Sequence, residues 1–506
     1  MTTKLPTGTE WDVNTLQAYD DAIATIAKNY RLDTFPIQLE IISSEQMMDA
    51  YSTIGMPLAY NHWSFGKQFV NVEKFYRRGL MGLAYEIVIN ANPCIAYLLE
   101  ENSLVMQATV IAHACYGHNA FFKNNYLFKT WTNPDAIIDY LLFAKNYIAE
   151  CERKYGMNEV EELLDSCHAI MNYGVDRYRR PQQLTLQEEK ARQKAREAYL
   201  QSQVNELWRT IPDDPNKAKF TTTDEQFPPE PEENLLYFIE KNAPRLEPWQ
   251  REIVRIVRKI AQYFYPQRQT KLMNEGWATF WHYTIINTLY EQKQVDDTFM
   301  FEFMHNHTNL MHQLPFDDPS CQGLNPYTLG FNIFNDIKRI CTAPTEEDKH
   351  WFPELAGSDW VETIHFAMEN YKDDSFVGQY LSPKVIRDMK LFVLLDDDKQ
   401  EDLIVEAIHN DQGYQTIRDT LAKTYNLSYS EPDIQVTRVN IHSDRALTLT
   451  HQQHDRRPLD ESDCNEVLQH IHTLWQFPVH LETTDEADTL INTVSYPRPR
   501  DESTET

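Results

Sequence analysis

From Leu16 to about Tyr290 the apolar residues of this chain recur at helical spacing. Leu16–Tyr30, Pro134–Tyr155, Val160–Asn172 and Pro248–Tyr265 each set apolar side chains three and four residues apart, which predicts amphipathic helices. Strand-like alternation is scarce before residue 385. Thr185–Trp208, rich in Glu, Lys, Arg, Gln and Ala, predicts a long, mostly solvated helix whose ion pairs contribute about a few tenths of a kcal/mol each. Pro212–Asn234 then loses all periodicity, and its Pro228-Pro229-Glu230-Pro231 core predicts an extended surface linker.

After Pro383 the texture changes to short strands and turns. Met389–Leu395, Leu403–His409, Ile434–Ile441, Ala446–His451 and Val479–Glu482 read as strands, Tyr414–Tyr425 and Cys464–Trp475 as helices. From residue 403 the order is β-α-β-β-α-β, the split βαβ pattern of ferredoxin-like modules. The expected architecture is a mainly α body of two helical lobes, 1–211 and 235–384, joined by a 212–234 linker. A small α/β ferredoxin-like module, 385–496, and a disordered tail, 497–506, complete it.

Length and charge narrow the class. At 506 residues the chain has room for two or three domains and for buried polar sites. A formal charge of −29 disfavours nucleic acid and anionic membranes, which reward clustered Lys and Arg. Met1–Asp12 has neither the charged nor the apolar region of a secretory signal. The most apolar stretch, Met81–Leu99, is interrupted by Glu86, Asn90, Asn92 and Pro93, so a buried soluble segment is expected there and no membrane span. Seven cysteines without a CxxC pair fit reduced thiols in the cytoplasm, with Cys115 a buried structural thiol. No GxGxxG, P-loop or GxSxG pattern is present.

Two segments carry candidate chemistry. In Asn274-Glu275-Gly276-Trp277-Ala278-Thr279-Phe280-Trp281-His282, Glu275 and His282 share one helix face, roughly 10 Å apart along the axis. A carboxylate among so many apolar neighbours requires a partner. His113-Ala114-Cys115-Tyr116-Gly117-His118-Asn119 is the expected partner, so that His113, His118 and Glu275 converge as ligands of a divalent metal, zinc above others. The spacing resists this, because i,i+5 turns the second ring by about 140° on an ideal α-helix. A shared ion therefore demands a π-bulge or a helix that ends near Gly117. Glu275 or His282 would handle the proton, and Asn119, Lys123 and Asn125 would position an anionic or amide substrate. A purely structural alternative remains open: His113 as a satisfied core histidine, His118 as a helix-terminal cap, Glu275 and His282 as a buried pair. Of His305, His307 and His312 only His307 is retained as a candidate, and the C-terminal His442, His451, His454, His470, His472 and His480 read as surface polar residues.

His113–Asn119 with Phe121-Phe122-Lys123-Asn124-Asn125, and Pro266–Ala278, resemble the signatures of the stage V sporulation protein R (SpoVR) family. Asn325-Pro326-Tyr327-Thr328-Leu329-Gly330-Phe331 with Asp336–Cys341, and Met56-Pro57 leading to Trp63-Ser64-Phe65-Gly66-Lys67, extend the resemblance over nearly the whole chain. It implies a bacterial cytoplasmic protein, linked in spore formers to the peptidoglycan cortex. In other bacteria it implies a stationary-phase and stress role alongside a AAA-type serine protein kinase and a von Willebrand A-domain protein. It implies no agreed reaction. Lys259 and Ile260 stand where many relatives carry acidic residues, which removes any role for a carboxylate there. Two functions therefore stand side by side: a metal-dependent hydrolase of peptide or amide bonds in cell-wall-related substrates, and a non-enzymatic regulator or scaffold working with that kinase.

Overall fold

The computed structural model describes the chain except residues 1–3, 9, 54, 57, 78–85, 177–226, 316–317, 319, 322, 396–403, 408, 442, 455–456 and 498–506. The expected Thr185–Trp208 helix, most of the 212–234 linker and the tail beyond Pro497 lie outside the described residues.

The described chain groups into two units that cut across the consecutive division expected from the sequence: Met1–Glu162 with Gln262–Glu431, and Leu163–Ala261 with Pro432–Thr506. In the first unit helices dominate. Asp12 opens the helix Val13–Asn29 by accepting the Thr15 N–H at 2.7 Å, and Ser103 opens Leu104–Val110 in the same way through Met106. The latter runs directly into a π-helix, Ile111–His118, and then into Asn119–Asn124. The Glu275 helix, Lys271–Glu291, is buried on every face, as a helix that is apolar all round must be. Its first turn is capped from outside: the Asp373 carboxylate accepts the Leu272 and Met273 N–H groups at 2.8 and 2.9 Å.

A three-stranded sheet also belongs to this unit, although strand-like alternation is scarce in this part of the sequence. Its strands are β1 (Ile37–Ile42), β2 (Glu86–Ile89) and β3 (Cys94–Leu99), with β3 central, parallel to β1 and antiparallel to β2. The strands are short, and β3 is apolar toward both faces, a pattern that periodicity cannot separate from a buried helix. Sheet formation fixes Glu86 at the head of β2, opposite Leu98.

β4 (Val393–Leu395) and β5 (Ile404–Ala407) pair antiparallel beside the helix Asp411–Tyr425, all within the first unit. The second unit carries the small α/β sheet, in the order β6 (Asp433–Val439), β7 (Leu447–Gln452), β8 (Val479–Thr484), β9 (Leu490–Tyr496). Strands β7 and β8 are parallel and are joined through the helix Glu461–Trp475. The α/β character of the C-terminal region is as expected, but its first expected strand pairs with β4, and β9, which the sequence did not suggest, takes the open edge. The linker residue Glu232 pairs through both backbone groups with Val436 of β6, at 2.9 and 2.8 Å, so this part of the linker is bound to the sheet.

Candidate metal centre

The π-helix resolves the spacing problem. Bonding i→i+5 widens each turn, so His113 and His118, five residues apart, fall on one side with ring centroids 4.6 Å apart in an edge-to-face arrangement. Gly117 permits the close approach of the Glu275 helix: a Cβ there would stand 2.7 Å from the Ala278 Cα. The Trp277 indole donates to the Gly117 carbonyl at 3.0 Å and ties the two helices at that point. On its other side the Glu275 helix meets Pro326–Thr342, where a Cβ on Gly276 would stand 2.4 Å from Gly330 backbone atoms. These two glycine-dependent crossings bring three helices around one point.

At that point Glu275 Oε2 lies 3.6 Å from His118 Nε2 and 3.9 Å from His113 Nε2, and Glu86 Oε1 lies 3.7 Å from His113 Nε2. Ligand atoms of Glu86, His113 and His118 all fall within 4.8 Å of one another. Donors ~2.1 Å from a tetrahedral ion stand roughly 3.4 Å apart, so the cluster is only slightly wider than a closed coordination shell. His118 Nδ1 donates to Asn274 Oδ1 at 2.9 Å, since an amide oxygen only accepts, and this bond holds Nε2 toward the carboxylates. Glu275 Oε2 is buried and has no hydrogen-bond partner. A buried carboxylate oxygen without a hydrogen-bond donor costs free energy, and a cation held between it and the imidazole nitrogens would offset that cost. The residues present therefore fit a divalent ion.

The electrostatics follow from burial. Burial, reinforced by Glu275, pushes the Glu86 carboxyl up to about 8. Burial and the neighbouring imidazoles of His118 and His282 hold His113 well below its ordinary value, hence neutral. The Glu275 carboxylate and burial keep the Tyr327 hydroxyl well above its ordinary value, hence protonated. Its ring stacks on His113 at 6.4 Å.

The sequence-derived candidates divide into three groups. His113, His118 and Glu275 come together as expected. His282 is near but is not turned toward the carboxylates: its Nδ1 meets His113 Nδ1 at 2.9 Å, behind the face that Nε2 presents, and its Nε2 meets His307 Nδ1 at 2.9 Å. His307 is thus the buried member of its trio, whereas His305 and His312 are exposed. Asn119, Lys123 and Asn125 are engaged elsewhere. The Asn119 amide brackets the Phe35 backbone, accepting from its N–H and donating to its carbonyl. Lys123 binds Asp33 and the Thr34 carbonyl, and Asn125 caps Tyr126–Trp131 while donating to the Met368 and Tyr371 carbonyls. These bonds join chain segments and lend no support to substrate contact. Cys115 is fully buried, which pushes its thiol well above its ordinary value, as a structural thiol requires.

Glu86, Asn274 and Tyr327 are the residues that sequence reasoning missed. Glu86 carried a signal, as an acidic residue interrupting the most apolar stretch of the chain; Asn274 directly precedes Glu275, and Tyr327 lies in the Asn325–Phe331 block.

Fold and site together define a largely helical protein with a buried His/His/Glu centre and a small C-terminal α/β sheet. Residues 10–430 match the model of the SpoVR like protein family, and residues 432–486 that of the SpoVR-like C-terminal domain; the chain belongs to the SpoVR family. It is 61% identical over 485 residues, 96% of this chain and 95% of the relative, to YcgB of Escherichia coli (strain K12), described as an uncharacterized protein. No solved structure matches it. No helix among the described residues is long and apolar enough to cross a membrane.

Proposed function

We propose that His113, His118 and Glu275, with Glu86 beside them, hold one divalent metal ion, zinc, and that the protein is a cytoplasmic metal-dependent hydrolase of peptide or amide bonds in cell-wall-related polymers. The observation that carries this reading is the orphaned Glu275 Oε2, buried against two imidazole nitrogens. Two imidazoles and a carboxylate are the donor set of hydrolytic zinc sites. A zinc ion held there supplies Lewis acidity that brings the ionisation of water towards neutral pH.

The chain's own residues do the rest. Asn274 holds the His118 ring through its Nδ1, and the Tyr327 ring packs against His113. Glu86 replaces His282 as the group placed to exchange a proton with a water at the cluster, since His282 faces away from it.

Glu275→Gln tests the reading. The isostere keeps the volume, so the full-length protein is expected to fold while losing metal occupancy and failing to complement a deletion strain. A folded Glu275→Gln protein with full complementation sinks the hydrolase.

The alternative, a non-enzymatic regulator or scaffold acting with an AAA-type serine protein kinase and a von Willebrand A-domain protein in stationary-phase stress, draws support from β9. That edge strand exposes Leu490 and Ile491, 57% and 55% accessible, and an apolar edge favours strand addition by a partner.

A further inference from the structure

Behind the cluster, three imidazoles stand in line. His113 Nδ1 is 2.9 Å from His282 Nδ1, and His282 Nε2 is 2.9 Å from His307 Nδ1. The three residues are only 4%, 1% and 7% exposed. Burial holds all three below their ordinary values, His307 at about 4, so each ring is neutral and carries a single N–H.

A neutral imidazole bonded through both nitrogens donates at one and accepts at the other. Only two arrangements then satisfy both bonds. In one, His307 Nδ1–H donates to His282 Nε2, His282 Nδ1–H donates to His113 Nδ1, and the His113 proton sits on Nε2, facing Glu86 and Glu275. In the other, every bond is reversed: His113 Nδ1–H donates to His282, His282 Nε2–H donates to His307, and His113 Nε2 presents its lone pair to the carboxylates.

We infer that His282 and His307 are positioning residues that couple the tautomer of His113 to metal loading, so that an ion bound at the cluster reverses the hydrogen bonds of all three rings. This rests on the metal reading above, since a His113 that ligates through Nε2 requires the second arrangement. The protons balance. One leaves His113 Nε2, one passes from His282 Nδ1 to His113 Nδ1, one passes from His307 Nδ1 to His282 Nε2, and one is taken up from solvent at His307 Nε2. No ring changes its charge, and His307 acts without touching the cluster. Removing the His307 acceptor leaves the His282 N–H buried and unpaired in the metal-bound arrangement, which weakens metal binding from two rings away.

The test uses full-length protein labelled with 15N-histidine, made metal-free and then titrated with zinc. The His307 proton is expected on Nδ1 before zinc and on Nε2 at saturation. His307→Phe should weaken zinc binding about 10–100-fold. His307→Asn, whose Oδ1 accepts in place of Nδ1, should bind within a few-fold of wild type or more tightly. A packing role predicts the reverse order, because Phe suits the surrounding Phe303, Tyr283 and Phe331 better than Asn does. Equal affinity in wild type and His307→Phe, or a His307 tautomer unmoved by saturating zinc, overturns the inference. A wild-type protein that takes up no zinc overturns the metal reading as well, and that result is read before any variant is made.

Discussion

Histidines concentrate in two regions of this molecule, and they behave in opposite ways. In the first unit His113, His118, His282 and His307 bond to one another or converge with Glu86 and Glu275. In the second unit the described rings of the C-terminal region each have a separate partner. His470 pairs with Ser166, His472 donates to the Phe477 carbonyl, His480 pairs with Ser495, and His454 lies 3.7 Å from Asp433. Even the buried His451 has only a 3.5 Å contact with the Thr483 hydroxyl. A count of imidazoles therefore does not mark a site. Convergence does, and here it depends on a π-helix and two glycine crossings that hold the donors together.

The comparison breaks most easily at the crossings. Gly276→Ala places a Cβ 2.4 Å from Gly330 backbone, which no side-chain rotation relieves, so the helices must separate. The expected cost is about 3 kcal/mol or more by chemical denaturation, with metal binding lost; a native midpoint with intact binding would refute the crossing as the organising contact.

Next comes pH. Glu86 is pushed up to about 8 in the folded chain, so its contribution is fully present below the unfolded value near 4.5 and is lost as pH rises through 8. Metal-free protein should lose on the order of a few kcal/mol across that window, less whatever solvent reaches the partly exposed carboxylate, and Glu86→Gln should flatten the loss. His307 acts at the acid side: held at about 4, it contributes stability that is full above about 6.5 and lost as pH falls through 4. The gap between the stability curves of wild type and His307→Phe should change only in that acid window. A parallel pair of curves would contradict the buried, neutral ring.

The smallest effect is expected in the second unit. His480→Ala removes one hydrogen bond to Ser495 and should cost about 1 kcal/mol, with metal content unchanged. Loss of metal in that variant would erase the contrast between the regions.

Much of the centre is legible in the sequence. The i,i+5 spacing of His113 and His118, set against Glu275 in its apolar helix, requires either a π-bulge or a helix break, and the π-helix is present. The role of His282 was not legible. Seven residues put it on the Glu275 face, but two turns along the axis carry its ring to the back of His113. Glu86 could not be placed because β2 exists only by pairing with β3, a contact between segments that carries no local periodicity. The C-terminal elements other than β9 are legible close to their observed bounds, but the pairing of β5 is not, since hydrophobic alternation identifies a strand without naming its neighbour.

The most direct test of the account is elemental analysis of the untagged full-length protein, purified without chelator, beside His113→Ala. The account predicts about one divalent ion per wild-type chain, zinc foremost, and none in the variant. A wild-type protein that is metal-free as purified and takes up no zinc on dialysis would contradict it.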